Sequence, residues 1–331
     1  MTVHVLHENP EWMPPFAAAF AAEGVDWDET LVTGGSLDLT AAPAEGLWWS
    51  RMSASAHTRG HTAAAEHARA LLDVLEAHGR RVVNGRAVLD LELSKVRQLA
   101  LLRAARVAVP RTVAVVGGRP DDVLAAAATV GLPVVVKPNR GGKGLGVTRF
   151  DSVDELAAAL PVSAGRRGSE HRSAPQGPEE RSEPEGAQFG IVEPVDGVLL
   201  VQEYVEPARP RITRAEIVGG ELVYAITADT ERGGFQLCPA DACAVDGTPA
   251  SLFALRTEPL PSGLSDAYES FARWHGLEVA GFEFIETADG RAVTYDVNTN
   301  TNYNPDVEAV APRSAARAVA RYLGTLDKEI S

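Results

Sequence analysis

Apolar positions along the chain alternate between two patterns, short β-like runs and longer stretches at helical spacing. Val3-His-Val-Leu6 and Gly46-Leu-Trp-Trp-Ser-Arg51 read as strands. Pro14 to Gly24 reads as a helix with proline at its start and glycine past its end. His61 to His78 repeats apolar residues at Ala64, Ala68, Leu71, Leu72 and Leu75 before Gly79 stops it. Arg81-Val-Val-Asn-Gly85 adds a strand and a turn. This alternation predicts a small α/β lobe over residues 1–90 with a partly parallel sheet.

The pattern continues with helices expected over Leu91 to Arg106, 121–131 and Asp151 to Leu160, the last with Asp151 as N-cap. Between the second and third of these lie two strand-like runs, Val134-Val-Val-Lys137 and Val147-Thr-Arg-Phe150. From Ser163 to Gln188 the only aliphatic residues are three alanines, so residues 163–188 are expected to be a mobile insertion that cannot bury enough apolar surface. Val198 to Val205 is the next strand, and Arg211 to Ile226 reads as a hairpin turned at Gly219-Gly220. A helix over 264–276 precedes strands Val279–Glu286 and Ala292–Asn300, with a turn at Asp289-Gly290; a helix from Ser314 to Leu323 closes the chain. The organisation expected is an N-terminal lobe (1–90), a central unit (91–200) and a C-terminal unit (201–331).

Composition narrows the classes. The 331 residues suffice for two or three lobes, and 45% hydrophobic with 23% charged residues is typical of a soluble globular protein. A formal net charge of −14 argues against a nucleic-acid or acidic-membrane partner. No basic stretch leads into an apolar segment at the N-terminus, and no apolar run approaches the roughly 18 residues of a membrane span. A cytoplasmic protein is expected. Cys238 and Cys243 are the only cysteines, and without nearby histidines they read as reduced thiols rather than a zinc site.

The chemistry concentrates between the two strands of residues 134–150. Lys137 ends the first, and Gly141, Gly142, Gly144 and Gly146 follow, with Lys143 among them. Glycines leave backbone N–H groups open to close approach by an anion, and two lysines add charge, so a polyphosphate ligand is expected. A Walker A loop is excluded, because Gly144 rather than Ser or Thr follows Lys143. A dinucleotide-binding loop is excluded because the glycines join two strands and lack its spacing.

This stretch resembles the phosphate-binding loop of the ATP-grasp superfamily, and other landmarks of RimK-type and glutathione-synthetase-like carboxylate–amine ligases follow in order. Ser94-Lys95 through Val109-Pro-Arg-Thr112 is similar to the segment that opens that domain. The resemblance implies an α/β (α+β) ATP-grasp fold with two subdomains clasping ATP, and it assigns Lys95 to nucleotide phosphate. Gln202, Glu203, Tyr204 and Val205 resemble the hinge that receives adenine, with Glu203 and Val205 acting through backbone groups and Glu206 a weaker ribose candidate. Arg214 aligns with the arginine that faces the reacting phosphate; Arg211 and Arg232 are lesser candidates.

Ala280-Gly281-x-Glu283 and Asp296-x-Asn298 resemble the family's metal pair. Period-2 geometry puts Asp296 and Asn298 on one strand face, where Glu283 of the neighbouring strand can meet them. Three hard oxygen ligands suit Mg²⁺, or Mn²⁺. Two departures from the family pattern are visible. Glu283 and Asp296 reverse the commoner Asp and Glu, and Thr299-Asn-Thr-Asn-Tyr-Asn-Pro305 replaces the usual stretch beside the acceptor.

The resemblance implies an ATP- and Mg²⁺-dependent ligase. A small carboxylate becomes an acyl phosphate and an amine attacks it, both substrates being amino-acid-like. Lys137 and Arg214 are the catalytic candidates. A kinase acting on a small molecule, a ligase acting on a peptide or protein tail, and a non-catalytic nucleotide-binding regulator stay open as alternatives, as does a homodimer.

Overall fold

A computed structural model describes residues 2–142, 144–160, 191–233 and 252–330. Lys143, residues 163–188, Cys238 and Cys243 lie outside the described residues. The first sheet is built from β1 (Val3–His7), β2 (Trp27–Leu31), β3 (Leu47–Ser50) and β4 (Arg81–Val83), with helices α1 (Pro14–Glu23) and α2 (Ala64–Ala77) in the connections. Its order is β2-β1-β3-β4 and every pairing is parallel, as the strand–helix alternation predicts. Gly24, at φ 66°, stops α1 where the chain turns left-handed.

The amphipathic stretch expected from Leu91 to Arg106 is two helices, α3 (Arg86–Glu92) and α4 (Lys95–Ala104). Ser94 breaks it: its backbone is extended and its Oγ accepts from Arg97 N, so it caps a new helix and leaves Lys95 as the first residue. Asn139 supports the same helix start from outside, its Oδ1 accepting from Val96 N at 2.9 Å.

A second sheet, in the order β5-β8-β6-β7, comprises β5 (Thr112–Val116), β6 (Val134–Pro138), β7 (Thr148–Phe150) and β8 (Val198–Glu203), with α5 (Pro120–Val130) and α6 (Val153–Ala159) against it. The N-cap of α6 is Ser152 rather than Asp151, because the Ser152 Oγ reaches Glu155 N at 3.2 Å. β6 and β7 form the glycine-turned hairpin, Val136 opposite Thr148. This sheet has its own core, including Val123, Val134, Val136, Leu156 and Val201.

The third sheet takes β9 (Arg211–Val218), β10 (Glu221–Asp229), β11 (Phe253–Leu255), β12 (Val279–Glu286) and β13 (Ala292–Asn298), all antiparallel in the order β11-β10-β9-β12-β13. Around it lie α7 (Thr230–Gly233), α8 (Leu264–His275), α9 (Pro305–Val310) and α10 (Ala315–Ile330), the last running seven residues beyond the Leu323 expected. α10 packs on α1, and one core joins Phe16, Phe20 and Trp49 of the first sheet's side to Val218 and Ile226 of the third and Val319 and Leu323 of α10.

Candidate active site

A cleft opens between the second and third sheets. Val135, Lys137 and the hinge residues Gln202, Glu203, Tyr204 and Val205 line one wall; Ile212, Glu283, Ile285, Tyr295, Asp296 and Asn298 line the other. Lys95, Gly141, Gly142 and Gly144 also face it. The glycine turn is tight because the chain must be left-handed at Gly144 (φ 68°) and Gly146 (φ 73°). A Cβ placed on Gly142 would stand 3.2 Å from Ser55 Cβ, so the turn rests against the loop that follows β3.

At the hinge end the lining is apolar, from Val135, Val205, Ile212 and Ile285. The Gln202 amide donates to Thr112 Oγ1 at 2.9 Å. The Glu203 carboxylate turns away to Arg111, accepting from its backbone N at 3.0 Å and its Nε at 2.7 Å. The Tyr204 ring lies under the Arg149 guanidinium, 3.9 Å from its centroid. Glu206 is exposed and does not line the cleft.

At the other end two buried lysines meet the buried Glu283 and the half-buried Asp296. Lys95 Nζ donates to Asp296 Oδ1 at 2.5 Å. Burial opposes its charge, but Asp296, Glu283 and Glu92 outweigh that and lift the Lys95 ammonium above its ordinary value. Lys137 has no such carboxylate at hydrogen-bond distance among the described residues; its Nζ lies 3.5 Å from Tyr295 O. Burial, reinforced by Lys95, brings it down to about 8. Glu283 is raised by burial and then by Asp296, with Arg214 and Lys95 pulling the other way.

The register places Glu283 opposite Asp296 and Gly281 opposite Asn298, with a bulge after Glu283 that lets Tyr295 and Asp296 both face the cleft. Asn298 Nδ2 lies 2.9 Å from Glu283 Oε1. Among the described residues no three His, Cys, Asp or Glu side chains form a metal-holding group; the trio here is two carboxylates and an amide. That hard-oxygen set fits a divalent cation of the Mg²⁺ type that also takes phosphate and water oxygens.

Arg214 does not line the cleft. It is fully buried behind Glu283, with Nη1 3.5 Å from Glu283 Oε1 and Nε 2.7 Å from Glu216 Oε1. Gly281 makes the room, since a Cβ there would sit 2.8 Å from the Arg214 Cζ. Glu216, one turn of the pleat beyond Arg214, is pushed up to about 7 by burial despite that arginine. Arg211 is on the opposite face, paired with Glu258 at 3.0 Å, and Arg232 is exposed on α7. The sequence pattern singled out no acidic neighbour beyond the metal trio. Glu216 and Glu92 are both buried beside it, at positions where a period-2 and a helical apolar face carry an unexpected carboxylate.

The three sheets and the cleft between the last two have the ATP-grasp fold, which this chain shares with solved ATP-grasp structures. No protein-family profile matches it. A probable alpha-L-glutamate ligase of Hydrogenovibrio crunogenus is 22% identical over 78% of this chain and 71% of its own length. A D-alanine–D-alanine ligase of Kocuria rhizophila is 26% identical over 64% of this chain, which spans about half (48%) of that relative. Among solved structures, the RimK domain ATP-grasp protein of Sphaerobacter thermophilus superimposes with a TM-score of 0.61 at 19% identity, covering 98% of this chain and 99% of that one. The macrocyclase MdnC of Microcystis aeruginosa, bound with precursor peptide MdnA, gives 0.60 at 16% identity over 98% and 100%. No described helix is long and apolar enough to cross a membrane.

Proposed function

We propose that this protein is an ADP-forming carboxylate–amine ligase that uses ATP and Mg²⁺ to join a small carboxylate to a small amine. The observation that carries the reading is the convergence of Lys95, Lys137 and the glycine turn with Glu283, Asp296 and Asn298 in one cleft that has an apolar hinge at its far end. Adenine occupies the hinge end, between Val135 on one wall and Ile212 and Ile285 on the other. The polyphosphate lies along the glycine turn toward the lysines.

Phosphoryl transfer asks the protein for position and charge more than for covalent chemistry. Lys137 and Lys95 neutralise phosphate oxygens, and the glycine-turn amides orient them. Mg²⁺ held by Glu283, Asp296 and Asn298 supplies further charge neutralisation when bound. A carboxylate oxygen attacks the terminal phosphorus and the bond to ADP breaks. The amine then attacks the acyl carbon, the carbon–oxygen bond to phosphate breaks, and phosphate leaves with the electron pair while the amine loses a proton. Arg214, behind Glu283, adds positive potential beneath that centre without touching it.

The test is ADP release from Mg-ATP across paired panels of amino acids, small carboxylates and amines. Release that needs both partners and yields an amide supports the reading. Release with one partner and a stable phosphorylated product would replace it with a kinase. Activity only on peptides would move the substrate class to that of the precursor-bound relative.

A further inference from the structure

Among the described residues β13 is an edge strand, and its outer edge is met by side chains and by the Ala108 carbonyl, which accepts from Thr294 N at 2.8 Å. Gln98 reads Val297 from both sides, donating to its O at 2.8 Å and accepting from its N at 3.2 Å. Just beyond, Thr299 follows the metal candidate Asn298, and its backbone N and Oγ1 donate to Glu92 Oε2 at 2.7 and 3.0 Å. The other oxygen of Glu92 accepts from Ala54 N at 3.1 Å. Ala54 adjoins Ser55, the residue on which Gly142 of the phosphate turn rests. A single carboxylate, 7% exposed, therefore joins the loop under the glycine turn to the end of the metal-bearing strand.

We propose that Glu92 is a positioning residue for the divalent-cation end of the site, holding Asn298 in place through Thr299 and anchoring that strand end to the loop at Ala54. The inference rests on the metal assignment made above. An ionised carboxylate only accepts, and the three groups facing Glu92 all donate, so its chemistry matches its setting. An amide in its place presents a donor toward one of them. Buried carboxylates are costly to desolvate, and a plain brace between two loops needs no charge. Partners that orient metal ligands from behind are worth about 10–100-fold in metal affinity when lost.

The test uses the full chain with Mn²⁺ as the probe, followed by electron paramagnetic resonance in the presence of a non-hydrolysable ATP analogue. Binding of the same analogue without divalent ion is measured in parallel. In Glu92→Gln the Mn²⁺ dissociation constant should rise about tenfold, with metal-free nucleotide binding within about twofold of the parent. Thr299→Val, which keeps shape but removes the hydroxyl donor, should show a smaller rise, and Thr299→Ser should restore the parent value. If Glu92→Gln does not fold, the Thr299 pair decides by the same measurements. Unchanged Mn²⁺ affinity in the folded variants would overturn the inference, as would equal weakening of Mn²⁺ and metal-free nucleotide. A parent protein that binds nucleotide but no Mn²⁺ would overturn the metal assignment itself, and this inference with it.

Discussion

Lys95 Nζ and Asp296 Oδ1 stand 2.5 Å apart, joining the first residue of α4 to the strand that bears the metal candidates. Each side chain is largely withdrawn from water, at 11% and 17% exposure, so this is a partly desolvated pair rather than a surface contact. Its consequence is that the phosphate end of the cleft neutralises itself. Any arriving polyphosphate or cation must compete with a pairing already made.

Asp296→Asn removes a charge from the cation site and from Lys95 together. Turnover should fall by about 100-fold or more, while nucleotide affinity changes little, because the freed Lys95 still faces the phosphates. ADP release and nucleotide titration on the same preparation check this. Near-normal turnover at saturating Mg²⁺ would sink the metal assignment.

Lys137 yields a pH prediction. Its ammonium, brought down to about 8 by burial and Lys95, is charged below that pH and neutral above it. Affinity for a nucleotide measured without divalent ion should therefore drop as pH rises through 8. Lys137→Arg keeps its charge and should flatten the profile, and Lys137→Ala should bind weakly at every pH. In stability terms, the lowered value is an energetic cost present below pH 8 that fades as pH rises toward the unfolded lysine's range. A profile of nucleotide affinity that is flat in the parent would show that Lys137 does not meet the phosphates.

Gly281→Ala tests the packing behind Glu283. The added methyl would collide with the Arg214 guanidinium, which Glu216 and Glu283 confine on either side. Overpacking of this kind costs about 1–3 kcal/mol, and a lower melting temperature should accompany reduced turnover. Unaltered thermal stability would mean that Arg214 can give way.

At the hinge, Glu203→Gln should change nucleotide affinity by no more than about threefold, since that carboxylate serves Arg111 rather than the cleft. Val205→Asp should weaken binding by tenfold or more by placing a charge beside the apolar lining. Isothermal titration of both variants decides, and equal large losses would give Glu203 a direct role.

Much of the fold could be read from residue patterns because β-branched runs and helical spacing are local signals. The parallel first sheet, the Val134–Lys137 strand and the Gly219-Gly220 hairpin are of that kind. The break at Ser94 was not legible, because apolar spacing continues across it and only the cap geometry separates α3 from α4. β11 is three residues long and too short to signal itself. In the site, lysines and carboxylates could be named by motif, but Arg214 turned out to lie behind the cleft, because which groups a buried guanidinium meets depends on Gly281 one strand away. Glu92 and Gln98 were invisible for the same reason: the partners that tie them to the site, Thr299 and Val297, are about two hundred residues distant in sequence.

The shared core that α10 makes with both the first and third sheets bears on how the walls of the cleft are held. The loop after β3 and the Asp296 strand belong to one block, while the glycine turn and half of the hinge belong to the sheet with its own interior. The two are pinned where Asn139 grips the start of α4, next to Lys95. The two walls of the cleft are therefore carried by separate interiors, so any shift between those interiors is a change in the width of the cleft.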